Sequence, residues 1–197
     1  MKKLISCSLA LLVLLIVGCG SFVDPLLKEE RVPEGKVLLI GKFNVSPHFG
    51  KVPEGERDDI MMSMNDDLNR SVNSIDDAID SDIGKIFYFP LSPGTKYFRV
   101  GQIMVQNGGH TLSRGYARPT YDVLRMLRNI KITIPANARA VYIGTITYKH
   151  NGKKATEVTV RDEQDEAMQA LAKMRFPGVA PKDVVKKLAV VLNEQKN

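Results

Sequence analysis

Short apolar segments, separated by residues that favour turns, dominate the sequence between residues 36 and 161. The segments are rich in β-branched and aromatic residues, and Pro, Gly or Asn stand at most of their ends. Such residues suit a pleated, partly buried strand, and about seven strands with turns between them are typical of a two-sheet sandwich. The sequence therefore predicts a mainly β chain.

Three segments define the strand prediction. Residues 36–45 form an almost continuous apolar run that predicts a buried first strand, and residues 130–134 alternate isoleucine with polar residues, which predicts a half-buried strand. Residues 58–83 support two interpretations, because their apolar residues fit helical spacing while the first few also alternate. We favour a short strand followed by a long acidic loop.

Two hairpins are expected. Residues 86–89 and 97–105 flank a turn that contains Pro93-Gly94, and residues 140–148 and 156–160 flank Asn151-Gly152. Both turns have the residue types that reverse a chain between neighbouring strands.

The C-terminal segment, residues 162–197, changes to helical spacing. Acidic residues open a first helix after residue 162, Pro177-Gly178 ends it, and a second helix is expected from Pro181. We expect both helices to pack on the sandwich. The alternative for the second is a helix that binds a partner or a membrane surface and exposes Lys182, Lys186 and Lys187.

Residues 89–97, Phe-Pro-Leu-Ser-Pro-Gly-Thr-Lys-Tyr, resemble the Pro-Gly-x-Tyr turn of prealbumin-like and carboxypeptidase-regulatory-like domains, with one extra residue before the tyrosine. Residues 140–146 resemble a strand of uncharacterised bacterial envelope lipoproteins. These resemblances imply an Ig-like or prealbumin-like β-sandwich with the two helices at its C-terminus. These resemblances concern the fold and imply no catalytic or binding residue.

The first 18 residues have the pattern of a cleavable signal peptide. Lys2 and Lys3 precede an apolar run that ends at Val17, which is short of the roughly 20 residues that span a bilayer. Residues 15–19, Leu-Ile-Val-Gly-Cys, resemble a lipobox. The resemblance implies cleavage between Gly18 and Cys19, and palmitate and diacylglycerol chains on Cys19.

The lipobox resemblance also predicts location. Gly20, rather than Asp, follows Cys19, so the sorting rule of the family implies the outer membrane, with the domain in the periplasm or on the surface. Two acyl chains give stable anchoring. An ordinary signal peptide that leaves Cys19 as a free thiol is the alternative.

The predicted organisation follows from this cleavage. Residues 1–18 are the signal peptide, 19–35 the lipidated cysteine and its tether, 36–161 the sandwich, and 162–197 the helical segment. The other cysteine, Cys7, lies in the signal, so the mature chain has no thiol for a disulfide, a metal site or a nucleophile.

The charge of the mature chain excludes few classes of binding partner. Its 26 basic and 22 acidic residues give a net charge of +4, which is ordinary surface charge or a weak preference for anionic envelope polymers. We expect no nucleic-acid partner outside the cytoplasm.

The usual signatures of catalysis are missing from the sequence. It contains no Gly-x-Ser-x-Gly elbow, phosphate loop or dinucleotide fingerprint, and His48, His110 and His150 lack metal-ligand spacing. We expect no catalytic residue, metal or cofactor. The acidic stretch at Asp80 and Asp82 faintly resembles a calcium loop, but its register does not match an EF-hand.

The most distinctive candidate for ligand binding is the segment from residue 114 to 128. Arg114, Tyr116, Arg118 and Tyr121 mix guanidinium groups with aromatic rings, which could bind phosphate or carboxylate groups of an envelope polymer. The alternative is a long loop whose arginines pair with the acidic loop.

These observations predict a membrane-anchored, non-enzymatic envelope lipoprotein with a structural or partner-binding role. The membrane, through the N-terminal lipid, and an envelope protein or cell-wall polymer are the expected partners. An envelope hydrolase with a loop-built site and a calcium- or solute-binding accessory protein are the two alternatives.

Overall fold

The computed structural model describes residues 21–47, 58–68, 77–111 and 117–192. Within these residues the chain forms strands β1 (Ser21–Val23), β2 (Val37–Ser46), β3 (Asp58–Asn65), β4 (Asp77–Asp82), β5 (Ile86–Leu91), β6 (Gly94–Thr111), β7 (Ala117–Ile134), β8 (Ala140–His150), β9 (Ala155–Arg161), β10 (Val184–Lys186) and β11 (Val190–Val191). Helix α1 (Gln164–Met174) follows β9, and a 3₁₀ turn (Pro181–Asp183) precedes β10.

The strands form two sheets. Sheet A has the order β1-β4-β3-β6-β7-β11, and sheet B has the order β10-β8-β2-β5, with β9 also paired to β8. The prediction of a mainly β, two-sheet chain is confirmed. The pairs β1/β4, β2/β8 and β10/β8 are parallel, and this strand order does not support the narrower Ig-like assignment.

The main core lies between the two sheets. Aromatic and aliphatic side chains from both inner faces fill it, and the ring centroids of Phe43 and Phe87 are 4.9 Å apart. Its largest contributors are Leu39, Phe43, Ile60, Met62, Met64, Ile79, Phe87, Phe89, Phe98, Ile130, Ile132, Val141, Ile143, Ile146 and Tyr148.

Helix α1 covers the outer face of sheet B and forms a second core there. Ala167 and Leu171 of the helix pack with Leu38 and Ile40 of β2 and with Tyr142 of β8. Strand β2 is thus buried on both faces, which explains its continuous apolar sequence and confirms the expected first strand.

The expected hairpin of residues 86–89 and 97–105 is wrong. Strand β5 pairs with β2 in sheet B, whereas β6 pairs with β3 and β7 in sheet A, so the Pro93-Gly94 turn carries the chain from one sheet to the other. A turn that reverses the chain can connect two strands of one sheet or two strands of facing sheets. In either arrangement the apolar side chains of both strands face the same core. The hairpin around Asn151-Gly152 is confirmed by the pairing of β8 with β9.

The expected second C-terminal helix is also wrong. Residues 184–192, here called the C-terminal strap, run from the edge of sheet B, where β10 pairs with β8, to the edge of sheet A, where β11 pairs with β7. Valines at positions 184, 185, 190 and 191 favour strand over helix, and pairing with two open edges overrides the helical spacing.

The acidic segment is only partly as expected. The short strand is confirmed as β3, but Asp77–Asp82 forms strand β4 instead of a loop, and residues 69–76 lie outside the described part of the chain. Buried Ala78 and Ile79 explain the strand, since they add apolar surface to the core while Asp80 stays exposed.

The segment before β2 lies against the sandwich. Strand β1 pairs with β4, the Leu26 N–H donates to the Tyr88 carbonyl at 2.8 Å, and the Glu29 N–H donates to the Met174 carbonyl at 2.9 Å. Residues 21–29 therefore contact the edge of sheet A at β4, the edge of sheet B at β5 and the end of α1.

Candidate functional site

The hairpin of β6 and β7 is the longest feature of the fold, with 18 residues in each strand. Strand β3 pairs with β6 from Tyr97 to Val105, and among the described strands only β7 pairs with β6 beyond that point. We call residues 106–111 and 117–121 the distal arm.

Two irregularities shape this hairpin. The pairing shifts between Phe98 and Val100, and again between Gln106 and Gly109. Each shift is a β-bulge, which bends the strands and increases their twist. The second bulge contains the Asn-Gly sequence at which we expected the strand to end, so these residues adjust the strand instead of ending it.

Two of the four predicted ligand-binding residues, Arg118 and Tyr121, lie on β7 of this hairpin. Arg114 and Tyr116 lie outside the described residues, while Arg118 pairs with His110 and Tyr121 with Gln106 in the backbone register. Arg118 and Tyr121 therefore lie on the same strand of the arm, three residues apart.

A cluster of charged side chains joins sheet B to the N-terminus of α1. Lys42 Nζ lies 2.8 Å from a carboxylate oxygen of Glu163 and 2.8 Å from one of Glu166. Thr145 Oγ1 donates to the same Glu163 oxygen at 2.7 Å, and the Glu163 N–H donates to the Tyr142 hydroxyl at 2.8 Å. We call these five residues the helix latch.

The latch stabilises the charged forms of Lys42 and Glu163. Burial by itself lowers the pKa of Lys42, but the hydrogen bonds to Glu163 and Glu166 outweigh it, and the net effect raises that pKa. Hydrogen bonds from Lys42 and then Thr145 lower the pKa of Glu163. Both shifts favour the charged forms, so Lys42 and Glu163 stay charged near neutral pH. Neither side chain is therefore suited to general acid or base catalysis there.

The latch also has no room for a substrate. The void beside it, lined by Gly41, Ile86 and Ala167 together with the latch, is too small to hold a water molecule. Lys42 has only 12% of its side chain exposed and is bound by two carboxylates. The arrangement therefore fixes the helix on the sheet and does not form a catalytic centre.

The structure describes the side-chain contacts of one of the three histidines, His150. His48 lies outside the described residues, and His110 is on the distal arm. His150 ends β8, where its Nε2 is 2.7 Å from the Pro47 carbonyl and its Nδ1 accepts from the Gly152 N–H at 2.9 Å. These contacts tie the end of β8 to Pro47 and to the turn at Gly152.

The acidic residues proposed for calcium are not arranged around a loop. Asp80 and Asp82 lie on β4, in a strand instead of a loop. In the described part of the chain no three His, Cys, Asp or Glu side chains are close enough to hold a metal ion.

Two open grooves lie at the end of the sandwich where β2 begins. One, of about 530 Å³, is lined by residues 23–27 and by Pro90, Leu91 and Ser92; the other, of about 430 Å³, lies between residues 31–36 and the Pro177-Gly178 turn. Lys36 lines both and donates to Ser92 Oγ at 2.8 Å. The grooves are shallow and contain no cluster of reactive groups among their lining residues.

The sequence interpretation missed two buried lysines, each of which forms an ion pair inside the fold. Lys42 stands in a mainly apolar strand, and Lys96, whose side chain is 5% exposed, pairs with Asp66 at 2.7 Å. A lysine inside a strand that is buried on both faces must have a carboxylate partner, which could have been sought among the acids of residues 162–166.

Comparisons with known proteins give no relative. No family model, no curated protein and no solved structure matches the chain. Among the described residues no helix is long and apolar enough to cross a membrane. Cys19 and Gly18 lie outside those residues, so their predicted roles remain predictions.

Proposed function

We propose that this chain is a lipid-anchored, non-enzymatic lipoprotein of the outer membrane that binds an envelope partner through the β6–β7 hairpin. The observation that carries the proposal is the distal arm, in which β6 and β7 continue for several residues beyond the last pair with β3. Among the described strands only β7 pairs with β6 beyond Val105, and an exposed strand edge is a place where another chain can pair. An arm of this kind suits partner binding.

Two further observations support a binding role over catalysis. The charged cluster nearest to a catalytic arrangement, the helix latch, is closed and fully paired. A hydrolase site built around His110 and the acidic segment would need them close together, yet the nearest described acid along β6, Asp58, pairs with Val105, five residues short of His110.

Lipidation of Cys19 is the part of the proposal that rests on the lipobox resemblance. Cys19→Ala should abolish palmitate labelling and release the folded domain from the membrane fraction. Labelling that persists in this variant would show that the acyl chains are attached elsewhere or that the motif is not used.

Partner binding is tested by photo-crosslinking in intact cells. A photoreactive amino acid at position 121 samples the arm, and the same amino acid at Asn137, an exposed turn at the other end of the sandwich, is the matched control. We expect a specific adduct from position 121 alone. Equal adducts from both positions, or hydrolase activity lost on changing His110 or His150, would contradict the proposal.

The relation to prealbumin-like domains is likewise a proposal, supported by the turn at residues 89–97. It concerns the ancestry of the sandwich and not its activity.

A further inference from the structure

Three strands of sheet B begin at the same end of the sandwich. Leu38 of β2 and Val184 of β10 both pair in parallel with Ala140 of β8, so the segments that precede the three strands lie side by side. At this end is the groove of about 430 Å³, which we call the basic groove. It is lined by residues 31–36, by Ala138 and Arg139, and by residues 177–179.

Three tight turns build the walls of the basic groove. They comprise residues 33–36, 135–138 and 176–179, and in each the N–H of the last residue donates to the carbonyl of the first, at 3.1, 3.3 and 3.1 Å. Gly35 and Gly178 have φ values of +73° and +80° in the first and third turns, which glycine adopts without strain. The walls are therefore held in place by the fold itself.

Three cationic side chains line the basic groove, and Glu34 is the only acid among the residues that line it. Arg31, Lys36 and Arg139 are exposed there. Nη1 of Arg139 donates to the Gly178 carbonyl at 2.9 Å, which holds the guanidinium beside the third turn. Within the described residues none of these cations pairs with a carboxylate, so their charges are available to an anion.

Two features oppose this positive charge. One is the Glu34 carboxylate, and the other is the end of helix α1 at Met174, three residues before Pro177. The dipole at a helix C-terminus corresponds to about half a negative charge, and its effect is confined to the last turn. The Met174 carbonyl also accepts the Glu29 N–H at 2.9 Å. Three full positive charges therefore outweigh one carboxylate and this partial charge.

We infer that the basic groove binds the phosphate monoester or diphosphate group of a small molecule. The inference goes beyond the proposed function, since it depends neither on the lipidation of Cys19 nor on the β6–β7 hairpin.

The charge and the size of the groove favour this class of ligand. A phosphate monoester has a charge of about −1.5 to −2 near neutral pH and three acceptor oxygens, so it can accept paired hydrogen bonds from the Arg139 guanidinium and also contact a second cation. A carboxylate has one charge and two oxygens. A volume of about 430 Å³ lies within the range of roughly 300–1,000 Å³ for small-molecule sites.

Binding is tested by isothermal titration calorimetry of the purified protein with inorganic pyrophosphate, at constant ionic strength and in an uncharged detergent. We expect saturable binding, which Arg31→Gln/Arg139→Gln should weaken by at least about tenfold because it removes two charge-assisted contacts. The control Lys153→Gln/Lys154→Gln removes the same charge from the turn after β8, at the opposite end of that strand, and should change binding by less than about twofold. No saturable binding, or equal losses in the two variants, would overturn the inference.

A second variant separates contact with the ligand from an effect on the fold, because Arg139→Gln also removes the hydrogen bond to the Gly178 carbonyl. Arg31→Gln/Lys36→Gln leaves that bond intact and should also weaken pyrophosphate binding by at least about tenfold. Circular dichroism melting without pyrophosphate shows whether each variant is folded. If only the variant that lacks Arg139 loses binding, and its melting temperature falls, Arg139 acts on the turn and the inference is wrong.

The class of ligand is tested by the same titration with glycerol 3-phosphate, glycerophosphoglycerol and acetate. Glycerophosphoglycerol is a phosphodiester with one charge, like the headgroup of a membrane lipid, and acetate is a monocarboxylate. We expect glycerol 3-phosphate to bind at least about tenfold more tightly than either. Equal or tighter binding of glycerophosphoglycerol would assign the groove to lipid headgroups, and equal binding of acetate would show a general anion site. Either result would overturn the assignment to a phosphate monoester or diphosphate.

Discussion

Lys42 of strand β2 donates a 2.8 Å hydrogen bond to Glu163, the residue that immediately precedes helix α1. The helix has no side-chain cap of its own at this end, so its first turn is held by groups of the sheet. The Tyr142 hydroxyl accepts the Glu163 N–H, and Asp162 accepts the Gln164 N–H at 3.2 Å. The sheet and the helix are therefore one structural unit.

Replacing Lys42 with Met should destabilise the protein, because Glu163 and Glu166 lose their common cation while only partly exposed. We expect the free energy of unfolding to fall by about 1–2 kcal/mol. This loss is smaller than that for a fully buried ion pair, because solvent screens the two carboxylates. Urea unfolding at neutral pH measures it. Lys149→Met, which removes an exposed pair with Glu157 at the same 2.8 Å, is the control and should cost less than about 0.5 kcal/mol. Equal losses would show that the latch is no more than a surface pair.

The contribution of the latch should depend on pH in a defined direction. The pKa of Glu163 is lowered, so its stabilisation is complete above its ordinary value of 4.5 and is lost as the pH falls through the lower folded value. The pKa of Lys42 is raised, so its stabilisation is complete below 10.5 and is lost as the pH rises through the higher folded value.

The difference in unfolding free energy between the native protein and Lys42→Met should thus be flat between those two limits and shrink beyond each of them. A series of urea unfolding curves from acid to alkaline pH tests this. A difference that grows below pH 4 would contradict the assigned pKa directions.

Two buried tyrosines on sheet B should respond in opposite ways to loss of the hydroxyl. The Tyr88 hydroxyl is buried and has no hydrogen-bond partner among the described residues, and burial raises the pKa of Tyr88 to about 12. Tyr88→Phe should leave stability unchanged or raise it by up to about 1 kcal/mol. Tyr142→Phe should lower it by about 1–2 kcal/mol, since the Glu163 N–H loses its acceptor. Thermal unfolding compares them, and the reverse order would refute this assignment of the two hydroxyls.

Sequence reasoning succeeded where local pattern and tertiary contacts agree. Strand β2 is apolar on both faces because one face meets sheet A and the other meets α1. The β8–β9 hairpin follows from the Asn151-Gly152 turn, and α1 begins after acidic residues and ends before Pro177. Each of these signals lies within a short stretch of sequence, so the sequence alone is sufficient to predict the element.

It failed where one local pattern fits two tertiary arrangements. The Pro93-Gly94 turn serves a hairpin and a sheet-to-sheet crossing equally well, and residues 184–192 fit a helical stripe although edge pairing makes them strands. The distal arm was missed because glycines and polar residues interrupt its pattern, which a bulge accommodates.

The candidate site was predicted only in part. The Arg-Tyr segment was singled out from its composition, but its place on a hairpin depends on pairing between residues up to about 40 positions apart, from Gly94 to Ile134. The helix latch could not be located, because Lys42 and Glu163 are 121 positions apart and only the parallel β2/β8 pair brings them together.

Gly144 marks the point where β8 changes partners along one edge, from β10 at Tyr142 to β9 at Thr145. Its φ of +95° lies in the left-handed region, and a Cβ there would come within 2.8 Å of Val160 Cγ1 and 2.9 Å of the Arg161 carbonyl. Gly144→Ala should therefore combine backbone strain with a steric clash against a strand that cannot move freely, at a total cost of about 2–4 kcal/mol.

Gly152→Ala separates the two causes, because Gly152 also has a positive φ, of +83°, but a Cβ there meets nothing within 4 Å. It should cost about 1 kcal/mol from backbone strain alone. Chemical denaturation of both variants gives the difference, which is the cost of the clash at the junction of β9 and the C-terminal strap. If the two losses are equal, β9 and the strap yield to the added methyl group, and the edge of β8 is less tightly packed than the structure indicates.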